Sequence, residues 1–303
     1  MSQEFPCIDL PLRDRLAAAD RPLLSYEFFP PKSEAGMLAL QEAVEGLVHT
    51  HPDFVTVTYG AGGSTRNLTF EIAALLRRFR YGPVMPHLTC VGSSRAELDT
   101  IADRIWEEGF RNIMTLRGDP PKGETEFIPP ADGLACARDL VRLLKARHPE
   151  FCLGVAGYPE GHPEAASAQS ELDYLKSKID EGADFITTQL FLENDAYYRF
   201  VERCQTAGIT VPILPGLMPA LSLGQIRRIT TMCGATLPPE LVKRLEHAGD
   251  HPDRAMSAGI LWCTEQIVDL LQQGVPGIHL YILNQIRPAM SYQLAQTVLE
   301  MTR

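Results

Sequence analysis

Several side chains suited to acid–base and ligand-orienting work stand at or near the ends of apolar runs. Glu27 sits inside Ser25-Tyr26-Glu27-Phe28-Phe29, a strand-like segment stopped by Pro30 and Pro31. Strand alternation turns Tyr26 and Phe28 to one face and Glu27 to the other. Aromatic neighbours are expected to desolvate this carboxyl and raise its pKa toward that of a general acid; a structural ion pair with an arginine is the competing reading. Arg117 and Asp119 flank Gly118, bringing opposite charges to one point before Pro120 and Pro121. They could pair with each other, or the rigid exit could hold both for a ligand. His87, inside Pro86-His87-Leu88, reads equally as a ligand or a satisfied core histidine. Tyr158 and His162 bracket a Pro/Gly loop that cannot be helical, which suits stacking on a planar ligand. Gln189 ends Thr187-Thr188-Gln189 with an amide that both donates and accepts.

Other features are less pointed. The turn Gly60-Ala61-Gly62-Gly63-Ser64-Thr65 could present backbone N–H groups to an anion, with Ser64 or Thr65 capping the next helix. It lacks both the Walker A ending and the Gly-x-Gly-x-x-Gly spacing. Glu171 and Lys178 lie seven residues apart, two turns along one helix face. No His-Glu-x-x-His occurs, so no metal site is expected. No lysine ends an apolar run, which disfavours a Schiff-base aldolase. Acid, amide, imidazole and aromatic groups without a nucleophile suit an organic cofactor that carries the hard chemistry.

Eight apolar runs must position these groups: residues 23–29, 54–59, 84–90, 112–116, 151–157, 185–190, 211–216 and 278–283. Amphipathic helical stretches such as 65–80, 95–108 and 132–147 lie between them. Strands too apolar to be wet on one face, alternating with helices, indicate a parallel sheet covered by helices. Eight such units predict an α/β fold: one closed (β/α)₈ barrel over residues 1–303 with a short N-terminal arm, 1–20. Barrels of this kind place their active sites at the C-terminal strand ends.

A formal net charge of −10 argues against a nucleic-acid surface, which needs clustered Lys and Arg. The seven cysteines are scattered, without a Cys-x-x-Cys pair, and read as core thiols of a reducing compartment. No basic leader with an apolar core opens the chain, and no run approaches the ~20 apolar residues of a membrane span. A cytoplasmic protein without membrane contact is expected.

Together the segments resemble methylenetetrahydrofolate reductase. They are Tyr26-Glu27-Phe28-Phe29-Pro30-Pro31, Val57-Thr58-Tyr59-Gly60-Ala61, Pro86-His87-Leu88-Thr89-Cys90, Leu116-Arg117-Gly118-Asp119-Pro120, Gly157-Tyr158-Pro159-Glu160-Gly161-His162, Leu175-Lys176-Ser177-Lys178, Gly182-Ala183-Asp184-Phe185-Ile186, Thr188-Gln189 and Ile213-Leu214-Pro215-Gly216. The resemblance covers residues 23 to 284, in the single-domain bacterial form. It implies non-covalent FAD, NADH or NADPH as co-substrate, and ping-pong reduction of 5,10-methylenetetrahydrofolate to 5-methyltetrahydrofolate. It also implies a homo-oligomer.

By the same resemblance Glu27 is the general acid, and Asp119 the carboxylate beside flavin and folate. Thr58, Tyr59, His87, Arg117, Gly118 and Asp119 would contact FAD, as would Ala156, Tyr158, His162, Tyr174 and Lys178. Ala137 would join them, as would Cys136, which stands where the family commonly has tyrosine, and Glu171, which stands where it commonly has aspartate. Gln189 would serve nicotinamide and folate, and Gln225 folate. Gln285 replaces the family's usual arginine after Leu283-Asn284, and Arg287, two residues on, is the expected substitute. Two rival readings use the same residues: a cofactor-free lyase or hydrolase with Glu27 as acid and Asp119 as base, and a folate-binding subunit without flavin.

Overall fold

A computed structural model describes residues 8–59, 66–79, 81–119, 129–249 and 251–302. The glycine-rich turn 60–65 and the prolines at 120 and 121 lie outside them. The parallel strands are β1 (Leu23–Phe28), β2 (Phe54–Val57), β3 (Val84–Thr89), β4 (Asn112–Leu116), β5 (Cys152–Gly157), β6 (Phe185–Thr188), β7 (Ile213–Leu214), β8 (Gly216–Leu217) and β9 (Gly277–Tyr281). Their order is β7-β6-β5-β4-β3-β2-β1-β9-β8. Nine segments replace the eight expected because Pro215, with no N–H to donate, interrupts the seventh run. β7 pairs with β6 while β8 pairs with β9, so the two halves of that run join both ends of the sheet and close the barrel. The carbonyl of Pro215 still accepts from His279 N at 3.0 Å.

Helices α1 (Leu12–Ala18), α2 (Glu34–Leu47), α3 (Arg66–Arg78), α4 (Arg95–Glu107), α5 (Ala137–Arg147), α6 (Ala168–Asp180) and α7 (Asn194–Thr206) precede the seventh run. Serine side chains at 33, 94 and 167 cap α2, α4 and α6. Three helices follow β8 where the alternation predicts one: α8 (Leu223–Cys233), α9 (Pro239–His247) and α10 (Pro252–Gln272). Gly234, at φ +72°, ends α8; Pro239 and Pro252 each open a new helix at its first turn. The last helix is α11 (Met290–Met301).

The main core fills the ring between strands and helices, as the fully buried β3 illustrates. A second layer lies inside the barrel: Phe54, Met85, Met114, Cys152, Phe185 and Leu214, one from each of β2 to β7. The N-terminal arm contributes to it. Leu12 of α1 joins this layer, and its N–H donates to Asn112 Oδ1 at 2.7 Å.

Candidate active site

Above the inner apolar layer the same strand faces turn polar. In β1, Tyr26 and Phe28 belong to the outer core while Glu27 faces a cavity of about 460 Å³. In β3, Leu88 faces out, whereas His87 and Thr89 line the cavity; in β9, Ile278 and Leu280 face out, whereas His279 and Tyr281 line it. Thr187 of β6 and Gln189 just past it reach the same space, as do Thr58 and Tyr59 beyond β2. Arg117, Gly118, Asp119, Ala156, Tyr158 and His162 complete the wall from the ends of β4 and β5. Alternation and barrel closure thus bring together groups from distant parts of the chain.

Glu27 differs from its expected state. Its aromatic neighbours point away into the helix layer, and two imidazoles face it instead. His87 Nε2 is 3.4 Å and His279 Nε2 3.7 Å from the same oxygen, Oε2. Burial acts to raise the Glu27 pKa, but His279, His87 and the Thr56 hydroxyl outweigh it and hold the carboxyl below its ordinary value. Burial also drives His87 down to about 4, against the opposing charge of Glu27. A neutral His87 lends no positive charge, so the lowering of Glu27 rests on His279 and Thr56.

At the end of β4 the backbone is fixed by Gly118, at φ +92°. A Cβ there would lie 2.6 Å from Val91 Cγ1 and 2.9 Å from Thr89 Cβ. Arg117 does not pair with Asp119. Its guanidinium grips Glu164 through two bonds of 2.6 and 3.1 Å, which leaves Asp119 exposed at the mouth. Tyr158 packs edge-on against His162 with ring centroids 4.6 Å apart. Burial pushes its phenol up to about 12, so it stays a neutral hydroxyl.

A second cavity of about 280 Å³ adjoins the first, sharing Leu116, Arg117, Ala156, Tyr158 and His162. Cys136, Ala137, Glu171, Tyr174 and Lys178 line it. Glu171 and Lys178 do not bond directly. Glu171 Oε2 accepts from His162 N at 2.8 Å, and Lys178 Nζ donates to Ala156 O at 2.7 Å. Burial lowers the Lys178 pKa to about 8, with Glu171 opposing. Tyr174 hydroxyl accepts from Ala137 N, pinning the start of α5.

Two expected substrate residues lie outside both cavities. Gln225 caps its own turn, accepting from Leu221 N, and stands behind the cavity-lining Met218. Arg287 pairs with Asp253 at 2.6 Å on the surface. Conversely, His279 and Tyr281 line the cavity although neither is among the residues that the sequence singles out. A histidine and a tyrosine at alternate positions of an apolar strand are the signal that marks them. Among the described residues, four buried polar atoms of the cavity lining lack a hydrogen-bond partner: His87 Nε2, Thr89 Oγ1, Thr187 Oγ1 and His279 Nε2. Thr115 Oγ1 is a fifth, in the second cavity. Among the described residues no group of three His, Cys, Asp or Glu could hold a metal ion, and no helix is long and apolar enough to cross a membrane.

Fold and site define a parallel (β/α)₈ barrel with a polar-floored ligand cavity at its strand C-termini. The family model described as methylenetetrahydrofolate reductase matches residues 12–294, and the chain belongs to that family. It is 36% identical over 277 residues to 5,10-methylenetetrahydrofolate reductase of Escherichia coli K12, covering 91% of this chain and 90% of that one. It is 40% identical over 285 residues to the probable methylenetetrahydrofolate reductase (NADH) of Oryza sativa subsp. japonica, covering 90% of this chain and 48% of that one. The chain therefore spans about half the length of the plant relatives it matches. In structure it is similar to a Clostridium thermocellum protein that binds two copies of 5-methyl-5,6,7,8-tetrahydrofolic acid, with TM-score 0.61, 17% identity, and 96% and 99% of the two chains covered. An oxaloacetate acetylhydrolase shares the fold at TM-score 0.52 and 11% identity, covering 96% of this chain and 86% of that one; likeness at that level speaks of architecture alone.

Proposed function

We propose that the chain reduces 5,10-methylenetetrahydrofolate to 5-methyltetrahydrofolate, using NADH or NADPH and a non-covalently bound FAD. The observation that carries the reading is the carboxyl of Glu27 on the cavity floor, with a second cavity alongside that holds a buried ammonium. The buried polar atoms without partners fit a heteroaromatic ligand bearing donors and acceptors on its edge, and Lys178 fits a phosphate. When bound, FAD supplies a two-electron relay between nicotinamide and folate.

The chain's own residues do the rest. Glu27 delivers the proton that the departing folate nitrogen takes as the five-membered ring opens. Because His279 and the Thr56 hydroxyl keep it ionised beforehand, it takes up that proton as the arriving ligand displaces water and removes solvation from the carboxylate. Asp119, exposed at the mouth, places negative charge near the cation left on the folate. Gln189 offers an amide to nicotinamide and pterin in turn. Lys178 and the Arg117–Glu164 pair hold the shared wall of the two cavities, and Tyr158 contributes a neutral hydroxyl.

Purified protein is expected to be yellow, to bleach under NADH or NADPH, and to regain colour with methylenetetrahydrofolate. Glu27→Gln keeps the bleaching and slows recolouring by about 100-fold or more. Colourless protein, or a variant reoxidised by folate at the wild-type rate, overturns the reading.

A further inference from the structure

Helix α11 presents its side chains in the opposite sense to an ordinary outer-layer helix, which buries its large apolar residues and shows water its polar ones. Its fully buried positions, Ser291 and Ala295, are small, with Tyr292 half-buried against the core beside them. Met290, Leu294, Val298 and Met301 are instead 47%, 37%, 41% and 82% exposed. Their spacing of four, four and three residues sets them in one stripe along the helix. Ile286, on the turn leading into the helix, is 42% exposed and continues the stripe. These are five of the twelve large apolar side chains exposed among the described residues, so they make a patch rather than the scattered single residues of an ordinary surface. α10 widens it with Leu261, one turn before Thr264, whose hydroxyl donates to Ser291 O at 3.3 Å. No residue of α11 lines either cavity, so the candidate active site does not account for the stripe.

We propose that the stripe is a two-fold contact between two copies of this chain, with α11 of one lying antiparallel to α11 of the other and the axis passing beside Leu294. A contact of this kind sets residue i against j and j against i, so its apolar pattern must read alike in both directions from the axis. The stripe does so. Met290 and Val298 stand four residues to either side of Leu294; Ile286 lies eight before it and Met301 seven after. In that register Leu294 meets its own copy, Met290 meets Val298, and Ile286 meets Met301. Charge agrees with the pairing. At a formal net charge of −10 two copies repel unless the faces they join are nearly free of acid. α11 carries one charged residue, Glu300, and the register sets it against Arg287 of the second copy. Arg287 Nη1 donates to Asp253 Oδ1 at 2.6 Å, which leaves further N–H donors for a carboxylate from across the axis.

A helix face of twelve residues, about 18 Å long, widened by Leu261 and Ile286, sits at the lower end of what a specific interface buries, about 1,200 Å² in total. The pair should therefore dissociate on dilution through the micromolar range. Sedimentation of the full chain as purified, over a dilution series, is the first measurement. Leu294→Glu places two carboxylates face to face on the axis, halves the mass of the assembly and weakens association by about 100-fold or more. Met232→Glu, at an exposed apolar position of α8 outside the stripe, leaves the mass unchanged. Both substitutions are at the surface, and unchanged thermal unfolding of the isolated subunit shows that the fold is kept. Cross-linking with a short bismaleimide then reads the register. Above the wild-type background, Leu294→Cys joins to its own copy, and Met290→Cys joins to Val298→Cys in a mixed sample more than either does alone. A wild type that stays monomeric throughout, or an assembly whose mass Leu294→Glu does not change, overturns the proposal. So does a Leu294→Cys protein that assembles without cross-linking. None of these outcomes depends on turnover with folate, so the functional reading and the contact stand or fall separately.

Discussion

Lys178 shows how a single side chain can be costly to the fold and useful to a ligand. It is 4% exposed, its Nζ bonds one carbonyl, and its ring neighbour Tyr174 lies 5.1 Å away. Burial penalises the ammonium and lowers its pKa from 10.5 to about 8, with Glu171 offsetting only part. The sign of the stability effect follows from proton counting. Between pH 8 and 10.5 the unfolded chain keeps a proton that the folded chain has lost, so stability rises with pH over that window. The gain is on the order of 3 kcal/mol at most, and below pH 8 the penalty is fully present. With any bound ligand removed, chemical denaturation of wild type and Lys178→Met at pH 7.5 and 10.5 reads it directly. Wild type should gain on the variant as pH rises. A flat difference would mean that the ammonium is already solvated or paired. An anionic ligand in the second cavity would relieve the same penalty, which ties the stability cost to binding.

The strands and helices were largely legible from the chain, because both of their signals are local. Fully apolar runs such as 151–157 and turn residues after them mark buried parallel strands whatever lies beyond. Less legible was anything decided across strands. Glu27 has aromatic neighbours in sequence, but alternation hides them behind the sheet, and its real neighbours, His87 and His279, come from β3 and β9. Arg117 finds Glu164, forty-seven residues away, rather than Asp119, two residues away. The extra helices α9 and α10 were likewise obscured, since one long connection after the seventh run reads as a single helical unit. Their packing rests on a close approach that glycine alone permits. Gly259 of α10 lies against the loop after β8, where an added Cβ would fall 1.8 Å from Ala220 O. Gly259→Ala adds a better helix former, worth about 1 kcal/mol in isolation. Here it should instead destabilise by about 1–3 kcal/mol, because backbone cannot yield as a flexible side chain would. Urea denaturation decides which term wins; a stabilised variant would show that α10 can move freely off the loop.

At the scale of the molecule the barrel divides its labour between two ends. The C-terminal end carries the cavity, its buried polar atoms and the exposed Asp119. The other end carries the apolar layer and the arm that seals it. Barrels tolerate this division because loops at the C-terminal face build the site while the opposite face serves stability. Leu12 tests it. The side chain is fully buried beneath Phe54, Met85, Met114, Cys152, Phe185 and Leu214, and its N–H is tied to Asn112 of β4. Truncation to alanine leaves a void that close-packed strands can only partly close. Leu12→Ala should therefore cost about 2–5 kcal/mol in denaturant-induced unfolding. The inner layer stands between Leu12 and the cavity floor, so the Glu27 titration, followed by carbon-13 NMR of carboxyl-labelled glutamate, should stay at its wild-type position in the same variant. A stability loss with an unmoved Glu27 supports two separable ends. A shifted carboxyl would show instead that packing at the base is transmitted to the site through the residues that line the barrel.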